Sequence, residues 1–301
     1  MSLTRETATR ACEPKSLEFD APPDGASSVR DAGGLDAALR RALAEGELRL
    51  DFQPLVAVAG GATTGFEALL RWRRPDFGDL AAGRFVAAAE GSPVFDDVGA
   101  WALLEAARAA AAWPSRLRVA VNLSAAQLRS PQIAETMRGL VERGRLDPRR
   151  LELEIVEPAF IDDFAAVAST LNTLRAYGVT IALDDFGGDG SSMRALARLP
   201  LDRLKIDRAF VVDALVNPRC AAVIRAAARL AKELGLALTG EGVETCEQFE
   251  LLRSAGCDET QGYFHSRPLQ ESDLAAVFER SPGGCGGRSD CHLCRRYVRL
   301  R

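Results

Sequence analysis

Hydrophobic residues follow two alternating patterns from about residue 35 onward. Short apolar runs typical of strands alternate with longer segments in which apolar residues recur every three or four positions, as in helices. The pattern predicts strands at 48–58, 63–72, 117–124, 151–157, 179–186, 203–207, 237–244 and 259–264. It predicts a helix starting at 36, helices within 81–112, and helices at 131–144, 163–177, 191–198, 218–234, 245–255 and 271–280.

This regular alternation favours a parallel sheet with helical crossovers. About eight strands in roughly 230 residues fit a closed (β/α)8 barrel, or TIM barrel, better than an open sheet. A short turn containing Gly60 and Gly61 joins the first two strands and suits a hairpin. We therefore expect an α/β barrel with one antiparallel strand.

The two ends of the chain differ in composition from the middle. Residues 1–34 are mixed-polar and predict a flexible segment, 35–280 the folded domain, and 281–301 a Gly-, Cys- and Arg-rich tail. Neither a signal peptide nor an apolar run of about 18 residues is recognisable, so we expect no membrane span and a cytoplasmic location. About 34 leading and 20 trailing residues leave no room for a folded sensor, so we expect any regulation to come from dimerisation, the tail or a separate protein.

The net charge and the small numbers of histidine and lysine limit which partners and which kinds of site the chain can have. The formal net charge of −4 gives no reason to expect DNA as a partner, and only two histidines argue against a histidine metal cluster. Only three of the 38 basic residues are lysines, so Lys205 within a predicted strand needs a reason. The tail carries Cys285, Cys291, His292 and Cys294. That group predicts either a reduced tail, a zinc site or a partner site.

Most of the predicted strands carry an acidic or amide residue at or near their carboxyl end, which is where α/β barrels have their active sites. These residues are Glu67, Asn122, Glu152, Glu154, Glu157, Asp184, Asp185, Glu241, Glu244 and Gln261. Alternation in LELEIVE turns Glu152 and Glu154 into the barrel, where bare carboxylates are costly unless paired or metal-bound. Oxygen ligands without His or Cys favour Mg²⁺, Mn²⁺ or Ca²⁺. Neighbouring Asp184 and Asp185 could share such a site only where their strand ends.

In these residues and their spacing, the sequence resembles the EAL-domain family, the cyclic di-GMP phosphodiesterases. The matching segments are FEALLRW at 66–72, FQP at 52–54, NLS at 122–124, LELEIVE at 151–157, DDFG at 184–187, LKID at 204–207, EGVET at 241–245, QGY at 261–263 and SRPL at 266–269. They follow the family's order and spacing across roughly residues 36–280.

The resemblance implies a modified TIM barrel that uses two Mg²⁺ or Mn²⁺ ions to hydrolyse one phosphodiester of cyclic di-GMP, giving linear pGpG. The implied metal ligands are Glu67, Asn122, Glu154, Asp184, Asp185, Glu241 and Gln261, with Asp184 bridging the ions. The implied catalytic residues are Lys205, Glu241 and Glu67, and the implied substrate-binding residues are Gln53, Leu69, Arg71 and Arg267. The implied supporting residues are Glu157, Asp207 and Glu244.

The segment DDFGGDGSS at 184–192 departs from the family, which usually continues DDFG with T-G-Y-S-S. Gly188, Asp189 and Gly190 replace Thr, Gly and Tyr, so we expect a more flexible loop and a slower or partner-dependent enzyme. The resemblance also points to a homodimer, an expectation that the altered loop weakens. The alternative is a module that binds cyclic di-GMP or a protein without hydrolysis, and a different phosphodiester substrate stays open. His265, where the family has an apolar residue, is expected to pack at the rim.

Overall fold

The computed structural model describes residues 32–75, 78–90, 92–156, 164–188 and 193–278. Several sequence predictions lie outside these residues: most of the N-terminal segment, the tail with its cysteine group, Glu157, and the loop residues Asp189 and Gly190.

The described residues form nine strands and eleven α-helices. The strands are β1 Leu48–Ala57, β2 Thr63–Arg74, β3 Gly78–Ala81, β4 Arg118–Leu123, β5 Leu151–Val156, β6 Thr180–Phe186, β7 Arg203–Ile206, β8 Ala237–Gly240 and β9 Glu259–Thr260. The helices are α1 Ala32–Glu45, α2 Val86–Ala89, α3 Pro93–Ala111, α4 Ala125–Arg129, α5 Pro131–Glu142, α6 Phe164–Ala176, α7 Met193–Arg198, α8 Arg208–Asp213, α9 Pro218–Leu234, α10 Cys246–Ala255 and α11 Ala275–Phe278.

Eight strands close into a barrel in the order β1-β2-β4-β5-β6-β7-β8-β9, and β9 pairs back to β1. Strand β1 is antiparallel to both of its neighbours, whereas the other barrel strands run parallel. This confirms the predicted α/β barrel with one antiparallel strand. The hairpin strand β3, which extends the sheet beside the end of β2, was not predicted because four residues carry too little periodicity.

Local capping signals explain where the longer helices begin and end. Ser92 and Ser130 each accept a hydrogen bond from the second residue of the helix that follows, and each precedes a proline at the first helical position. Helix α9 begins in the same way at Asn217 and ends at Gly235 with φ of 69°. The short helices α4 and α8 were not predicted, since one or two turns show no clear period.

The core lies between the barrel and its helices. Alternate residues of β4, namely Val119, Val121 and Leu123, are buried on the outward face and join the main apolar cluster, as the sequence predicts. A second cluster packs Leu35 and Leu39 of α1 against Trp72 of β2. It anchors the outer end of the β1–β2 hairpin. Within the described part of the chain, no helix has the length and apolarity needed to cross a bilayer.

Two acids and two arginines neutralise each other at the amino-terminal end of the barrel. Glu152 Oε2 accepts a hydrogen bond from Arg203 Nε at 2.9 Å, and Glu259 Oε1 accepts one from Arg118 Nη1 at 2.8 Å. Cross contacts link Arg118 to Glu152 at 3.3 Å and Arg203 to Glu259 at 2.7 Å. Burial alone would raise the pKa of Glu259, but Arg118, Arg203 and Thr64 lower it to about 2. The strands are thus joined here by a charge-balanced network.

We predict that Glu259→Gln destabilises the fold by about 3 kcal/mol at neutral pH, because it leaves buried guanidinium charge uncompensated. Since the pKa of Glu259 is lowered on folding, its contribution is complete above the ordinary value of 4.5 and is lost as the pH falls towards about 2. Urea unfolding of both proteins at several pH values would measure this. The difference between them should shrink below about pH 4.5.

The exposed ion pair between Glu250 and Arg253 provides the control. Glu250→Ala should change the free energy of unfolding by less than about 1 kcal/mol. An equal effect of both substitutions would contradict the prediction.

Candidate active site

Four carboxylates from different parts of the chain surround one buried ammonium at the carboxyl end of the barrel. Lys205 Nζ lies 2.6 Å from Glu241 Oε1, 2.8 Å from Glu154 Oε2 and 3.2 Å from Asp184 Oδ1. Glu67 Oε2 is the fourth neighbour, at 3.8 Å. The Lys205 side chain is only 1% exposed, so this charge belongs entirely to the interior.

The negative charge exceeds what one ammonium can neutralise. Burial opposes the charged form of Lys205, but the surrounding carboxylates raise its pKa well above the ordinary value, so it stays protonated. Burial also raises the pKa of Glu154 and Glu241 well above the usual carboxyl range, with like charges nearby adding to it. The cluster therefore attracts further cations.

Glu67 is held in one orientation by two side-chain amides. Asn122 Nδ2 donates to Glu67 Oε1 at 2.7 Å, and Gln261 Nε2 donates to Glu67 Oε2 at 2.7 Å. Burial raises the pKa of Glu67, but Lys205 and these two amides outweigh it and lower the pKa below the ordinary value. Gln261 Nε2 also donates to Gln53 Oε1 at 3.2 Å, which places Gln53 beside the group. The structure thus brings together predicted residues from β1, β2 and β4 with Gln261, which directly follows β9.

Asp184 and Asp185 share the site although they are consecutive in a strand. Asp185 has a φ of 54°, and the pairing of β6 with β7 shifts register between Leu183 and Phe186. One oxygen from each aspartate and one from Glu241 lie within 4.8 Å of one another. Both aspartates thus lie in the last three residues of β6, at the strand end where the sequence analysis expects a shared site, and the register shift and the left-handed residue turn both carboxylates to one side. Burial and the charges of Asp184 and Asp207 raise the pKa of Asp185 to about 6.

The chemistry of this group fits a hard divalent cation. Its donors are carboxylate and amide oxygens, the ligands of Mg²⁺ and Mn²⁺. Gln261 Oε1 is buried with no hydrogen-bond partner among the described residues. Glu154 Oε2 lies 2.8 Å from Lys205 Nζ, whereas Glu154 Oε1 has no hydrogen-bond partner among the described residues. Buried acceptors without donors are costly, so Gln261 Oε1 and Glu154 Oε1 are available as ligands.

Among the described acids predicted for the carboxyl end of the barrel, Glu152 lies at the opposite end. It precedes Glu154 by one strand repeat, about 6.6 Å deeper in the barrel, and it pairs with Arg118 and Arg203 at the opposite end. The alternation correctly predicted that Glu152 faces inward. Its depth along the strand was wrong, because periodicity gives a face and not a level.

The remaining predicted residues lie around the group without joining it. Asp207 caps α8 by accepting from Ala209 N at 2.6 Å, and Glu244 Oε1 pairs with Arg208 Nη2 at 2.6 Å. The guanidinium of Arg267 lies 4.4 Å from the Tyr263 ring centroid. Leu69 is half-buried.

Arg71 Nε donates to Asp51 Oδ2 at 2.9 Å. Sequence analysis missed Asp51 and Arg208. Asp51 stands two residues before Gln53 on the same strand, so alternation could have found it. Arg208 lines the same pocket as Glu241 and Gln261 and directly follows LKID.

The structure shows the contacts of two residues that depart from the family pattern, His265 and Gly188. His265 Nε2 lies 2.9 Å from Thr260 Oγ1, and its ring packs edge-on against Phe249 and Phe264. At Gly188, an added Cβ would lie 2.7 Å from Asp207 Oδ2. A larger residue at 188 therefore requires the Asp207 carboxylate to move.

Comparison with known proteins shows which family this chain resembles over most of its length. The family model described as "EAL domain" matches residues 36–268. "Cyclic di-GMP phosphodiesterase NbdA" of Pseudomonas aeruginosa is 39% identical over 249 residues, which are 81% of this chain and 31% of that protein. The chain thus spans about a third of the length of the curated relatives it matches.

Solved structures show the same fold. The structure titled "PaMucR Phosphodiesterase, c-di-GMP complex" is 37% identical with a TM-score of 0.75, covering 80% of this chain and 99% of that one. A manganese and cyclic di-GMP complex of Klebsiella pneumoniae BlrP1 is 28% identical with a TM-score of 0.66, covering 75% of this chain and 56% of that one. The matched family model and these similarities establish that the chain belongs to the EAL-domain family.

Proposed function

We propose that this chain is a metal-dependent phosphodiesterase that hydrolyses cyclic di-GMP to linear pGpG. The observation that carries the proposal is the oxygen-only cluster around Lys205, in which carboxylates outnumber cations. Relatives named cyclic di-GMP phosphodiesterases and related structures solved with cyclic di-GMP support the choice of substrate. A homodimer, a partner for the tail and a cytoplasmic location are proposed from sequence alone.

We assign two Mg²⁺ or Mn²⁺ ions to this cluster. The residues that would hold them are Glu67, Asn122, Glu154, Asp184, Asp185, Glu241 and Gln261. When bound, such ions acidify a water molecule and stabilise charge that develops on the phosphoryl oxygens.

The protein's own groups supply position and charge. Lys205 stays protonated among its carboxylates, so its ammonium provides a fixed positive charge and a donor for the attacking water or a phosphoryl oxygen. Asn122 and Gln261 fix both oxygens of Glu67 before any ligand binds. Gln53, Leu69, Arg71 and Arg267 are assigned to the substrate, and Glu157, Asp207 and Glu244 to supporting contacts.

Purified protein incubated with cyclic di-GMP and Mg²⁺ or Mn²⁺ should form pGpG, resolved by chromatography. Glu67→Ala should reduce the rate at least about 100-fold, because it removes a ligand and leaves Asn122 and Gln261 without their acceptor.

Glu250→Ala, which removes an exposed carboxylate, should keep the wild-type rate. Binding without turnover by the wild-type chain would instead identify a cyclic di-GMP receptor. Full activity of Glu67→Ala would refute the assigned site.

Manganese should raise the melting temperature of the wild-type chain but not that of Asp184→Ala. Saturation to 100 times Kd adds about 2.7 kcal/mol to stability, which corresponds to about 5 °C or more for a chain of this size. Because the pKa of Asp185 is about 6, protons compete with the ion, and the affinity should weaken as the pH falls below that value. Calorimetric titration with manganese at several pH values, with Glu250→Ala as control, would measure this pH dependence of the affinity. An equal manganese-induced rise in the melting temperature of Asp184→Ala would exclude Asp184 as a ligand.

Lys205→Met tests whether the ammonium acts in catalysis or only balances charge. Methionine keeps much of the side-chain volume, so the barrel can still pack. We expect turnover to fall at least about 100-fold, whereas manganese affinity should stay equal or rise, because one competing positive charge is removed. Turnover near the wild-type level would show that Lys205 only balances the carboxylates.

A further inference from the structure

One face of the β1–β2 hairpin continues beyond the metal cluster. The register pairs Gln53 with Glu67, Asp51 with Leu69 and Arg49 with Arg71. Because side chains alternate between the faces of a strand, these six residues share one face of the hairpin. The opposite face carries buried Phe52, Phe66 and Trp72. The face that begins at Glu67 and Gln53 therefore continues as a charged wall away from the cluster.

Asp51 is the carboxylate between two arginines in this wall. Its Oδ2 accepts from Arg71 Nε at 2.9 Å, and its Oδ1 lies 3.5 Å from Arg49 Nη1. The Asp51 side chain is 11% exposed and that of Arg71 is 16% exposed, so water screens this pair little. Arg49 and Arg71 stand directly opposite each other on the two strands, where like charges repel. Asp51 offsets that repulsion.

The contacts of Arg71 fix the plane of its guanidinium. Nε donates to Asp51, and Nη1 donates to the carbonyl oxygen of Leu70 at 3.0 Å. These two contacts leave the Nη2 end for a ligand. An arginine fixed in this way loses less side-chain entropy when it binds a phosphate or a guanine edge.

We propose that Asp51 is a positioning residue that holds Arg71 in the orientation in which it contacts the cyclic dinucleotide. The inference rests on the proposed function and adds a residue that neither the motifs nor the metal cluster assigns. Asp51 itself does not touch the substrate. It acts by fixing Arg71 on the wall that leads from Glu67.

Steady-state kinetics of Asp51→Ala, Arg71→Ala and the double variant test the proposal on the full chain. Asp51→Ala should raise KM about three- to tenfold, because Arg71 must then be ordered during binding. Its kcat should stay within about twofold, since the metal cluster is untouched. In the Arg71→Ala background, the Asp51→Ala substitution should have no further effect on kcat/KM.

Asp51→Asn is the conservative variant, since it keeps an oxygen that can accept from Arg71 Nε. It should recover most of the wild-type KM. Asp79→Ala is the matched control in the same hairpin, because Asp79 pairs with Arg49 and Arg73 but not with Arg71. It should leave KM unchanged. If Asp51→Ala does not fold, Asp51→Val, which suits a strand and has no acceptor for Arg71 Nε, replaces it with the same expected result.

Four results would overturn the inference. An unchanged KM in Asp51→Ala would show that Arg71 needs no partner, and independent effects of the two substitutions would show that Asp51 does not act through Arg71. A lower KM would show that Asp51 withholds Arg71 from the substrate. A wild-type chain that neither binds nor hydrolyses cyclic di-GMP would overturn the proposed function itself, and this inference with it.

Discussion

Electrostatic repulsion between carboxylates at the carboxyl end of the barrel is the constraint on which the site depends. Lys205 lies within 4 Å of four of them, yet one positive charge cannot neutralise all four carboxylates. The other end of the same barrel contains two acids and two arginines, which balance. The pKa values follow this difference: that of Glu259 is lowered to about 2, whereas those of Glu154 and Glu241 are raised. A balanced network leaves no buried charge uncompensated, whereas an unbalanced one has affinity for further cations.

Much of this arrangement could be predicted from alternation along the strands. The inward direction of Glu154, the outward packing of Val119 and the antiparallel first strand all follow from local pattern. The partners of Glu152 could not be predicted, because Arg118 is 34 residues away and Arg203 is 51 residues away. Their meeting depends on strand register around the closed barrel. No periodic signal gives that register.

The pairing of Asp184 with Asp185 shows a second limit. An ideal strand would send these side chains to opposite faces, so the sequence analysis allows them to share a site only at the end of the strand. They do lie at that end, since β6 stops at Phe186, but the sequence did not show that Asp185 adopts φ 54°, a conformation that aspartate tolerates better than most residues. Such a departure costs free energy, which the surrounding pairing of β6 with β7 must offset. Backbone strain of this kind is set by tertiary context, so it is not visible in residue types alone.

The antiparallel strand β1 forms a hairpin with β2, and this hairpin gives the site a side wall that parallel strands alone would not supply. It runs beside β2 from Leu48 to Val56, well beyond the four residues of β2 that pair with β4. The hairpin therefore extends past the metal cluster and carries Arg71 on the face of Glu67. Its other face is fixed by Trp72, which packs with α1 and donates to Glu47 at 2.9 Å. The parallel strands thus concentrate the ligands, while the anchored hairpin supplies a rigid wall on which one carboxylate can hold one arginine.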